Sequence, residues 1–129
     1  MTTSRLTIAL KRMQQVPGCV GAALVDVTFV ACLALIGGKS IDIDSQIDYY
    51  AKFIRAKQRE IDAMGMSDAI EEIVFTSRLH YHLVYPLDLQ ILKKGKFEKL
   101  FFFIALEKSG VTLMQARSAI QEAVTLFKE

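Results

Sequence analysis

Val20-Gly21-Ala22-Ala23-Leu24-Val25-Asp26-Val27-Thr28-Phe29-Val30-Ala31-Cys32-Leu33-Ala34-Leu35-Ile36 is the stretch on which the fold turns. It is apolar enough for two readings, a membrane-spanning helix or a pair of buried strands. A span needs about 20 consecutive apolar residues, and an aspartate near its centre costs roughly 2.5 to 3.5 kcal/mol. Here Asp26 and Thr28 stand near the middle, Pro17-Gly18 opens the run and Gly37-Gly38 closes it. These breaks divide it into two strand-length pieces, Cys19 to Asp26 and Phe29 to Ile36. Both pieces are apolar on both faces, as strands are when helices cover each side of their sheet. The reading is a buried β-hairpin, with a small membrane protein as the competing one.

Upstream, Leu6, Ala9, Leu10 and Met13 recur at helical spacing, with Ser4 as a cap and Pro17-Gly18 as a stop. Downstream, Asp44 or Ser45 can cap a long helix that runs to about Met64 and ends at Gly65. Ile70 to Thr76 and Leu79 to Tyr85 read as a second hairpin, which Pro86 closes because it cannot donate to a ladder. A connection from Leu87 to Lys99 leads into a central strand, Leu100 to Leu106, where Phe101, Phe102 and Phe103 supply aromatics to both faces. Thr112-Leu113-Met114-Gln115 has the capping-box form, and Leu113, Ala116, Ile120, Val124 and Phe127 follow on one helical face. The order is αββαβββα: an α/β chain of the α+β type, with five mainly antiparallel strands. The terminal helices are expected on one face and the long helix on the other.

At 129 residues the chain is expected to be one domain, residues 1–129, with a sizeable core. Its 16 basic and 14 acidic side chains leave a formal charge of +2, which speaks against nucleic acid as a partner. Cys19 and Cys32 lie in apolar runs without C-x-x-C spacing, so small buried thiols are expected instead of zinc ligands or a disulfide framework. Met1 to Met13 has no continuous apolar run of the signal-peptide kind, and the expected location is cytoplasmic.

The long helix carries more apolar surface than a sheet can use. At about 100° per residue, Ile47, Tyr50, Ala51, Ile54 and Ile61 form one stripe, bordered by Phe53 and Met64. Tyr49, Ala56 and Ala63 form a second stripe beside Phe53, while Asp48, Lys52, Arg55, Arg59 and Asp62 share the polar strip. The apolar arc covers roughly two-thirds of the circumference, and one sheet contact needs only about 100°. Either the terminal segments or the 87–99 connection fold over the surplus, or a second copy covers it. The strand Ile73-Val74-Phe75 can form a sheet edge unprotected by charge. The expected two-fold interface therefore comprises Tyr49, Phe53, Ala56, Glu60 and Ala63 with Ile73, Val74 and Phe75.

Three stretches resemble the roadblock dynein-light-chain family, in its bacterial MglB-like branch of Ras-like GTPase regulators. They are Val16 to Asp26 in the first strand, Ile73 to Thr76 with His80 to Leu87 in the middle hairpin, and Leu113 to Arg117 in the last helix. The resemblance implies a roadblock/profilin-like fold, a homodimer joined through sheet edges and long helices, and binding of a small GTPase or larger assembly. Some members stimulate nucleotide hydrolysis or exchange. The chain departs from the family at Asp26 to Phe29, where a turn glycine is frequent, and in the lysine-bearing 87–99 connection.

Chemistry-bearing motifs are sparse. His80 and His82 share a strand face, yet metal sites need three or four ligands. Glu71 and Glu72 point to opposite faces and read as solubility residues. Gly37-Gly38-Lys39-Ser40 ends like a P-loop without the earlier glycine. Lys93, Lys94 and Lys96 form a solvated tip that can also steer a partner. The sequence thus points to a non-catalytic homodimeric adaptor for a small GTPase, with no metal or cofactor. The alternative is a small-ligand sensor whose pocket, between sheet and long helix, is lined by Tyr50, His82 and Phe102.

Overall fold

The computed structural model describes residues 2–38, 42–65, 67–91 and 96–128. Helix α1 (Thr2–Gln14) precedes strands β1 (Cys19–Asp26) and β2 (Ala31–Gly37), and the long helix α2 (Ile43–Ala63) follows. Then come β3 (Ile73–Thr76), β4 (His80–Ile91), β5 (Lys96–Glu107), a 3-10 turn (Lys108–Gly110) and α3 (Leu113–Lys128). The strands form one antiparallel sheet in the order β2-β1-β5-β4-β3, so β5 is central as expected.

Strand alternation sorts the core into two layers. Leu24, Phe102, Ile104 and Leu106 face α1 and α3, whose Met13, Ala116, Ile120 and Phe127 complete that cluster. Ala23, Val25, Phe101 and Phe103 face the other way, onto Ile43, Ile47, Tyr50, Ala51 and Ile54 of α2. The disputed apolar run is therefore a hairpin, and among the described residues no helix is long and apolar enough to cross a membrane.

Several boundaries differ from those read in the sequence. The first helix begins at Thr2, which leaves Ser4 inside it instead of at its cap. Asp42 caps α2, its carboxylate accepting the Ser45 N–H at 3.1 Å; Asp44 and Ser45 are already helical. Pro86 does not end β4, because β3 finishes its pairing at Ile73 opposite Val84. Beyond Val84 one side of β4 is a free edge, where a missing N–H costs no ladder bond. The expected 87–99 connection is thus largely strand: Leu87 to Ile91 pair with Lys96 to Leu100, while Lys93 and Lys94 lie outside the described residues.

Two turns show why particular residues stand where they do. Gly18 has φ +83°, and a Cβ there would sit 2.7 Å from the Glu107 carbonyl oxygen, so only glycine fits between β1 and the end of β5. In the β1–β2 turn the Asp26 carboxylate accepts N–H groups from Thr28 at 2.8 Å and Phe29 at 3.3 Å. The turn then closes through Val30 in the left-handed region, φ 52°, the place where a glycine would be unstrained.

The expectation that both hairpin strands are covered on both faces fails for β2. As an edge strand it leaves Leu33 and Leu35 about half exposed, at 51% and 44%, since α2 lies over the sheet centre. Cys32 is likewise exposed, not a buried thiol. β2 also carries one extra residue, Leu33, between the Leu24–Ala34 and Val25–Cys32 pairs.

Candidate functional site

The residues of α2 divide as its periodicity requires. Ile43, Ile47, Tyr50, Ala51, Ile54 and Ile61 are buried against the sheet. The second stripe is not covered by any described segment: Tyr49 is 63% exposed and Phe53 41%, and Ala56, Glu60 and Ala63 are exposed with them. β3 is the outermost strand beside β4, shorter than read because residues 70–72 stay outside the ladder. Phe75 on it is 46% exposed, while Ile73 and Val74 are half-buried.

These two exposed features are linked through the core. Tyr49 meets Tyr50 edge-on, with ring centroids 5.4 Å apart. Tyr50 stands 5.8 Å from the His82 ring, and His82 lies 5.4 Å from Phe75. Phe103 closes the cluster from the central strand, 5.6 Å from Tyr50 and 5.4 Å from His82. The rings form an unbroken chain from the exposed stripe of α2 to the exposed edge of the sheet. Helix face and strand edge are therefore joined beneath the surface by packed buried rings.

Polarity inside this cluster is resolved by one contact. The Tyr50 hydroxyl and His82 Nδ1 lie 2.9 Å apart in a buried hydrogen bond. Burial pushes the Tyr50 phenol up to about 12, with the neighbouring Tyr49 adding to the shift. Burial also holds His82 below the usual histidine range, with His80 acting in the same direction. At neutral pH both rings are uncharged, and the pair serves the core. His80 and His82 do share a face, with ring centroids 6.4 Å apart, but His82 is engaged by Tyr50.

The ligand pocket expected among Tyr50, His82 and Phe102 is not formed. Phe102 lies on the opposite side of the sheet, packed at 5.6 Å against Phe127 of α3, whereas Phe103 is the ring that meets Tyr50. Glu72, read as a solubility residue, holds the guanidinium of Arg117 through both carboxylate oxygens, at 2.9 to 3.1 Å. That pair ties the lead-in to β3 to α3, a contact no local pattern signals. Lys96 opens β5, and Lys93 and Lys94 fall outside the described residues, so the steering patch has no structural description.

No family profile and no curated protein matches this sequence. Solved structures do match its fold. MglB of Myxococcus xanthus superposes with a TM-score of 0.74 at 12% identity, over 95% of this chain and 84% of that one. The gliding protein MglB of Thermus thermophilus gives 0.75 at 14% identity, over 98% and 87%. A roadblock/LC7 domain from Streptomyces avermitilis gives 0.63 at 13% identity, over 92% and 87%. This chain has the roadblock fold, in the form that the MglB structures share.

Proposed function

We propose that this chain is a cytoplasmic roadblock-type homodimer that acts by binding, as an adaptor or regulator of a small Ras-like GTPase. The observation that carries the reading is the link of Tyr49, beside the exposed Phe53, to Phe75 through the buried Tyr50–His82 pair. An aromatic side chain can bury about 150 to 250 Å², so the three exposed rings and their neighbours form a patch of several hundred Å². At roughly 25 cal/mol per Å², covering it twice in a symmetric pair offers several kcal/mol before the entropy of association is subtracted. Antiparallel pairing of two β3 edges would add main-chain hydrogen bonds and align the two α2 stripes about the same axis. The GTPase as partner rests on the family resemblance together with the roadblock fold.

Light scattering tests the dimer. The wild type is expected at twice the chain mass, and Tyr49→Glu with Phe53→Glu at one chain mass with its circular dichroism retained. A double variant that stays dimeric removes those rings from the interface. Pull-down of a P-loop GTPase encoded beside this chain, loaded in turn with GTP and GDP, tests the partner. Failure of both nucleotide forms to bind would count against it.

A further inference from the structure

A cavity of about 350 Å³ opens between the C-terminal half of α2 and the end of the sheet, on the flank of α2 away from Tyr49 and Phe53. Its apolar walls come from Val27, Ile70, Leu87 and Leu100, and two arginines one helical turn apart, Arg55 and Arg59, line it from α2. One wall is fixed by Gln58. Its Nε2 donates to the Asp62 carboxylate and to the Asp68 carbonyl, each at 3.0 Å, and its Oε1 accepts the Ile70 N–H at 3.4 Å.

Charge at this cavity is unbalanced. Two carboxylates of α2 outside the cavity are already paired: Asp48 with Lys52 at 3.0 Å and Glu60 with Lys57. Among the described residues, neither Arg55 nor Arg59 forms an ion pair. Lys99 lines the cavity as well, so its charged lining is three cations, Arg55, Arg59 and Lys99, and one carboxylate, Asp62. Guanidinium forks recognise phosphate and carboxylate oxygens bidentately, and a neighbouring apolar wall selects for a ligand with a hydrophobic body. Two forks with an added lysine suit a dianion better than a singly charged carboxylate.

We infer that this cavity is a binding site for a small phosphate monoester with an apolar or ring-bearing alcohol part, its phosphate held by Arg55 and Arg59. The site is separate from the proposed dimer surface, because both arginines belong to the polar strip of α2.

The test is titration of the full chain with phenyl phosphate, followed by amide NMR, with inorganic phosphate and benzyl alcohol as comparators. Saturable shifts confined to residues around Ile54, Ala69, Ile70 and Leu87 are expected with phenyl phosphate only. Arg55→Gln with Arg59→Gln should weaken binding at least about tenfold, as loss of charged hydrogen bonds does. Its thermal unfolding and light-scattering mass should match the wild type, which separates this outcome from any failure of the dimer. Shifts that do not saturate, equal binding of inorganic phosphate, or an unaffected double variant would each overturn the site.

Discussion

The Tyr50 hydroxyl and the His82 ring nitrogen Nδ1 meet at 2.9 Å beneath the exposed stripe of α2. Both groups are uncharged at neutral pH, and burial disfavours the ion of each, which makes the fold sensitive to pH on both sides. His82 binds its proton less readily folded than unfolded. The unfolded chain therefore takes up protons first as pH falls below about 6.5, and stability declines until the folded ring protonates too. Tyr50, raised to about 12, loses its proton later than an unfolded tyrosine, so stability also declines as pH rises from about 10 towards 12. Urea midpoints across pH 4.5 to 8 check the acid limb. Tyr50→Phe should cost about 1 to 3 kcal/mol at neutral pH by leaving the buried nitrogen without its partner. A midpoint that is flat below pH 6.5 in the wild type would refute this account of His82.

Phe75 offers a test of the sheet edge that leaves α2 untouched. A lysine on an edge strand opposes pairing with another chain. Phe75→Lys is expected to lower the dimer mass by light scattering at micromolar concentration. Because Phe75 is partly exposed, its monomer should lose only on the order of 1 kcal/mol of stability. An unaltered dimer would assign self-association to a surface other than β3.

The start of α3 is a capping box in full. Thr112 Oγ1 accepts the Gln115 N–H at 3.1 Å, and Gln115 Oε1 accepts the Thr112 N–H at 2.9 Å. Thr112→Ala should cost about 1 kcal/mol. A melting temperature lower by a few degrees, with the oligomeric state retained, is the expected reading in a calorimetric scan.

What was legible in the sequence follows the range over which each signal acts. The buried stripe of α2 and the Thr112–Gln115 box are local, set by helical period and by side chains three residues apart, and the structure places both where the sequence does. The extent of β4 was hidden because proline disfavours a strand only where its missing N–H faces a partner, and the end of β3 at Ile73 is a tertiary fact. The exposure of Leu33 and Leu35 was hidden for a similar reason: an apolar run does not say which strand lies outermost. The side of each phenylalanine depends on register, and a shift of one residue exchanges Phe102 for Phe103. The ring chain joining Tyr49 to Phe75 spans three separate elements, so only the folded chain displays it.

The extra residue at Leu33 bears on how far assembly can proceed. A protein whose sheet is receptive at both ends could recruit copies indefinitely and lengthen into a fibre. Here the outer strand beyond β1 is irregular, and such a kink offers a poor template for the next chain. In the proposed dimer growth would thereby be directed to one end alone, and a contact that uses a single end of each molecule is finished once two have met.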